Sequence, residues 1–192
     1  MRRLFLATLL ISAAAIGYEI LLMRVLSIVQ WHHFAYMIIS LALLGYGASG
    51  TFIAINKRWL EPRFELSFAV SGLLFSMAIV GCFVLGQRVP FNALEIVWNP
   101  RQLVSLSLIY LVFFVPFFFA ACCIGLAFTC RREAISRIYF FDLLGAGLGA
   151  TLIIALLFVL SPQNALRVLA ALALLASILV GTRLAARKTL IA

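Results

Sequence analysis

LFLATLLISAAAIGYEILLMRVLSI, residues 4–28, is an apolar run interrupted by only two charged side chains, Glu19 and Arg24. A bilayer core about 30 Å thick needs roughly 20 apolar residues at about 1.5 Å of helix rise each. The run meets that length, and five more like it follow: 33–55, 66–85, 103–129, 138–160 and 166–184. Between them stand NKRWLEPRFE (56–65), GQRVPFNALEIVWNPRQ (86–102), CRREAISR (130–137) and SPQNA (161–165), which carry the prolines, charges and amides that stop helices. The expected fold is all-α: a polytopic membrane helix bundle of about six transmembrane helices, forming a single transmembrane domain over residues 1–192. The short breaks imply that neighbouring helices pack as antiparallel hairpins.

Composition agrees. Of the 192 residues, 66% are hydrophobic and 11% charged, against roughly 45 to 50% and 25% in soluble domains. The net charge of +9 would suit nucleic acid if the cations shared a polar face, but they fall in the gaps between apolar runs, so no nucleic-acid partner is expected. Arg2, Arg3, Lys57, Arg58, Arg63, Arg131, Arg132, Arg137, Arg183, Arg187 and Lys188, eleven of the fifteen cations, share one side of a six-helix topology, with Arg24, Arg88, Arg101 and Arg167 on or near the other. The positive-inside rule then places both termini in the cytoplasm. The N-terminus imitates a secretory signal, but its apolar run is too long for one, and it is expected to be a retained first helix.

The six acids of the chain are few enough to consider one by one, and two fall inside apolar runs. Glu19 lies about 22 Å along its helix from the expected cytoplasmic end. An ionisable group there costs on the order of 2 to 3 kcal/mol and normally has a partner. Arg24 is one and a half turns farther on, about 140° around the helix, so the partner is either a bent Arg24 or a group on another helix. A structural hydrogen-bonded role for Glu19 stands first, with ion or substrate handling second. Asp142 is expected roughly 6 Å deep, level with Arg131, Arg132 and Arg137, which favours an ion pair near the interface over a proton relay. His32 and His33 are adjacent, so they point about 100° apart and cannot grip one haem between them; an interfacial hydrogen-bonding pair is the reading, and no cofactor is expected. Cys82, Cys122, Cys123 and Cys130 have no metal-ligand spacing and read as small helix residues, so no metal site is expected. The loop with Phe91 and Trp98 reads as an aromatic-belt connector, with an interfacial lid as the alternative.

Small residues four apart let helix backbones approach closely in lipid. LLGYGASGT (43–51) supplies Gly45, Gly47 and Gly50; LLGAGLGAT (143–151) supplies Gly145, Gly147 and Gly149. These glycines are expected to pack the second and fifth helices at the centre of the bundle. The two stretches lie 100 residues apart, share five of nine letters and run in opposite directions, as an inverted repeat of three plus three helices would. No charged residue inside the apolar runs matches at that offset, and Leu, Gly and Ala are common in any membrane helix.

The residues 16–51, IGYEILLMRVLSIVQWHHFAYMIISLALLGYGASGT, and 137–151, RIYFFDLLGAGLGAT, resemble the membrane region of bacterial membrane-bound spermidine synthase-like proteins. The likeness carries Tyr18, Glu19, Arg24 and Asp142 as motif positions. In that family the membrane region precedes a cytoplasmic aminopropyltransferase-type domain, which this chain is expected to lack. No catalytic motif stands in these residues, so the chain itself is not expected to be an enzyme. The resemblance implies a non-catalytic anchor or scaffold that handles a polyamine-like metabolite, with the lipid bilayer and a C-terminal cytoplasmic domain or other membrane subunits as partners. Two other functions are compatible with the residues: an accessory subunit of a larger respiratory or photosynthetic complex, its aromatic run LVFFVPFFFAACC (111–123) packed on protein, and a small inverted-repeat transporter.

Overall fold

The computed structural model describes residues 1–29, 33–92, 95 and 98–189, and for residues 29, 33–35 and 183–189 the backbone alone. It contains six long helices: α1 (Arg2–Val29), α2 (His33–Leu60), α3 (Phe64–Arg88), α4 (Pro100–Cys130), α5 (Ile135–Val159) and α6 (Pro162–Thr189), with a 3₁₀ turn at Arg132–Ala134. All six are long and apolar enough to cross a membrane. Only helices and closed barrels satisfy every backbone hydrogen bond within hydrocarbon, so an apolar chain of this kind becomes a helix bundle.

The helices outrun the apolar segments by up to five residues at an end. An apolar run stops at the first polar side chain, whereas a helix stops where its hydrogen bonding does. α2 continues through Lys57, Arg58 and Trp59; long side chains of this kind can extend to polar surroundings while their backbone stays helical. α4 begins earlier than its apolar run because Pro100 occupies its first turn and the Asn99 side chain accepts from the Arg101 backbone N–H at 3.1 Å.

The centre is formed by α1 and α4, not by the glycine helices. The apolar span of α1 is 67% buried and that of α4 is 56%, against 33% for α2 and 17% for α5. α1 is small on several sides at once, with Ala7, Ser12, Ala13, Ala14 and Ala15 all buried, and so accepts neighbours around most of its circumference: α2, α4, α5 and α6. Each glycine helix offers one close face. An added Cβ at Gly145 or Gly149 would strike the backbone oxygen of Leu9 or Ala13 on α1, and one at Gly45 would lie 2.8 Å from the Phe117 Cβ on α4. Gly47, Gly50 and Gly147 have nothing within 4 Å of that position and do not pack the described chain. The aromatic run of α4 is partly core, since Phe113 and Phe117 are buried while Leu111 is 63% exposed.

α3 and α6 close the back of the bundle. Gly72 lies against Ser177, the Ser177 hydroxyl donates to the Ala69 carbonyl at 2.5 Å, and the Ser76 hydroxyl donates to the Ala170 carbonyl at 2.8 Å. In lipid, apolar burial does not drive helices together, so close packing and such interhelical hydrogen bonds hold the pair. Ser76→Ala is expected to destabilise the protein by about 0.6 to 1.7 kcal/mol, read as a lower thermal midpoint in detergent; no change would show that the bond contributes nothing.

Candidate functional site

α2 and α5 both lean on the α1 and α4 core yet make no substantial contact with each other among the described residues. Where they stand apart, polar groups of three helices come within reach of one another. Asp142 on α5 accepts a hydrogen bond from the Ser12 hydroxyl of α1. Tyr46 on α2, 40% exposed, lies within electrostatic reach of both Asp142 and Glu19. Glu19 is half-buried on α1, seven residues beyond Ser12 and so about two turns farther along the same face. Asp142, Tyr46 and Glu19 thus gather on the side of α1 that lies between α2 and α5, and this gap is the candidate cleft.

The local sequence explains each placement. Gly145 and Gly149 bring α5 onto α1 in parallel, with Phe5 stacked on Phe141 at 5.3 Å between ring centres. Asp142, one turn before Gly145, is thereby held against α1 in reach of Ser12, a residue small enough to sit in the contact. Tyr46 follows Gly45 directly and is turned about 100° from the α4 contact that this glycine makes, toward the opening.

The ion pair expected between Asp142 and the arginines of the α4–α5 connection does not form; its partner is Ser12. α5 starts at Ile135, so Asp142 is about 10 Å into the helix, deeper than the arginines. Arg131 is placed over the Phe64 ring at 5.2 Å, a cation–π contact, and Arg137 is exposed. Arg24 is exposed, and no basic group pairs with Glu19 or Asp142 among the described residues.

Tyr18, next to Glu19 in sequence, belongs elsewhere. It is fully buried against Phe117, 5.5 Å between ring centres, and its hydroxyl has no hydrogen-bond partner among the described residues. Of the four motif positions, Glu19 and Asp142 share the cleft, whereas Tyr18 packs into the core and Arg24 faces outward. His32 falls outside the described residues, as does the side chain of His33. Among the described residues no three His, Cys, Asp or Glu side chains gather as metal ligands. Ser12 and Tyr46 escaped the sequence reading; the signals were the spacing from Ser12 to Glu19 and the lone tyrosine inside a glycine stretch.

At the opposite end of the bundle from Met1, Val89, Pro90 and Phe91 cover a cavity of about 340 Å³ between α1, α3 and α4. Phe91 turns into this cavity and Trp98 is 83% exposed, so the α3–α4 connection divides its aromatics between the bundle and the surroundings.

Chemically, the cleft offers two carboxyl groups, a phenol and a hydroxyl in an apolar setting, with no basic side chain paired to them among the described residues. Carboxylates accept hydrogen bonds from ammonium groups, and those bonds strengthen where water is scarce. Comparisons with protein-family models, curated proteins and solved structures return no match to this chain.

Proposed function

We propose that the chain is a non-catalytic integral membrane module that anchors or scaffolds a larger assembly and holds a small organic cation of the polyamine class in the α2–α5 cleft. The observation that carries the cation reading is the pair Glu19 and Asp142, on two helices of one cleft, with no basic partner among the described residues. An intramembrane acid left without a protein cation is the expected mark of a substrate or ion path. The polyamine class comes from the resemblance to the spermidine synthase-like membrane region, which also supports a cytoplasmic domain or neighbouring subunits as partners. Cytoplasmic termini are supported by the positive-inside distribution, since Met1, Lys57, Arg131 and Arg132 line one depression at the same end of the bundle; a bacterial inner membrane comes with the resemblance.

The test is calorimetric titration of spermidine into the protein in lipid nanodiscs. Saturable binding is expected, weakened roughly tenfold or more by Glu19→Gln and by Asp142→Asn, because each removes a charge-assisted hydrogen bond of about 1.5 to 3 kcal/mol. Arg24→Gln, outside the cleft, leaves the affinity unchanged. No binding, or equal binding by all variants, overturns the reading.

A further inference from the structure

The packing of this bundle is nearly unchanged when its first three helices are exchanged for its last three. The exchange turns the α1–α5 contact into α4–α2, and α1–α6 into α4–α3, while α3–α6 and α1–α4 map onto themselves; all are contacts of the structure. The glycine contacts follow the same exchange helix for helix, though not in strict register. Gly145 of α5 lies on α1 at Leu9, and Gly45 of α2, 100 positions earlier, lies on α4 at Phe117, which stands 108 positions after Leu9. Thr51 and Thr151, again 100 apart, each donate to the glycine carbonyl four residues back, Gly47 at 3.2 Å and Gly147 at 3.0 Å.

The exchange also reverses direction. Met1, just before α1, lines the same depression as Thr129 and Cys130 at the end of α4, so the two helices run oppositely. The relation between the halves is therefore a pseudo-two-fold axis perpendicular to the helices, which in a bilayer lies in the membrane plane. α2 and α5 are partners under this axis, and it passes through the opening between them. In inverted-repeat membrane proteins the cargo site sits near the midplane at the repeat interface, and access alternates as one repeat rocks against the other. Chemistry, unlike packing, is not symmetric: the position equivalent to Asp142 is Ala42, so the polar groups belong to one side of the axis.

We propose that the chain is an inverted repeat of two three-helix units whose α2–α5 cleft is a transport path for a linear diamine or polyamine. The proposal rests on the cation reading of the same cleft and adds movement of the cargo. Ser12, which holds Asp142, is seven residues from Glu19, so the two carboxyl groups are offset by about 10 Å along the membrane normal. That offset suits two ammonium groups at the ends of a methylene chain; a monoamine satisfies one carboxylate and leaves the other bare.

Counterflow in proteoliposomes tests it. Labelled spermidine outside is expected to enter vesicles preloaded with unlabelled spermidine in a saturable manner. Glu19→Gln lowers the initial rate at least tenfold, and n-butylamine in excess does not compete. If Glu19→Gln fails to fold, Asp142→Asn carries the same comparison. Glu19-dependent binding in nanodiscs without counterflow overturns transport and leaves the binding module standing; absence of both overturns both. Counterflow that neither variant slows overturns the assignment of the path to this cleft.

Discussion

Gly149→Leu is expected to yield no folded protein, while Gly147→Leu, two residues away on the same helix, behaves as the parent. A Cβ at Gly149 would drive into the Ala13 backbone oxygen, and the Ala13 Cα lies 2.6 Å from it, so backbone rather than a pliable side chain stands in the way. The only relief is to push α5 off α1, and α5 has few other attachments: its apolar span is 17% buried and its buried residues are Ile138, Gly145, Gly149 and Ile153. Because lipid tails are as apolar as the helix itself, nothing hydrophobic pulls α5 back once close packing is lost. The expected cost exceeds about 4 kcal/mol, in the range reserved for gross overpacking. The readout is the monodisperse fraction on size exclusion in mild detergent, with the thermal midpoint of whatever is recovered. A Gly149→Leu protein as stable as Gly147→Leu would mean that α1 and α5 do not meet in this way.

That contrast also shows what a sequence of this kind yields. Six apolar runs announce six helices because hydrocarbon leaves an apolar chain no other backbone solution. Of the glycine stretches, Gly45, Gly145 and Gly149 give α2 and α5 one close face each. They mislead about the centre, since burial depends on how many sides of a helix carry small residues, and the scattered Ala and Ser of α1 have no compact motif. Helix ends matter more than their few residues suggest. Starting α5 at Ile135 instead of Ile138 moves Asp142 by about 4.5 Å, enough to take it from the arginine level to Ser12. The pairing itself was not legible, because a serine in an apolar helix leaves no periodic trace.

The same absence of a basic partner separates two roles for Glu19 by stability. If this carboxyl were part of the scaffold, removing its charge would weaken the fold. As a group held ready for a cation from outside, it burdens the empty protein, since an unpaired charge within a membrane helix costs on the order of 2 to 3 kcal/mol. Glu19→Gln keeps the shape and two polar atoms while removing the charge. It is expected to raise the stability of the ligand-free protein by about 1 to 3 kcal/mol, a gain reduced by whatever water reaches its half-buried side chain. Added spermidine then raises the thermal midpoint of the parent, because a ligand that binds only the folded state stabilises it by mass action, and leaves Glu19→Gln nearly unmoved. The crossing of these two effects, a variant more stable when empty and less responsive when supplied, is the trade-off expected of a binding residue. A Glu19→Gln protein that melts lower than the parent without ligand would make Glu19 a structural group and leave Asp142 alone to carry the cleft's claim to a cargo.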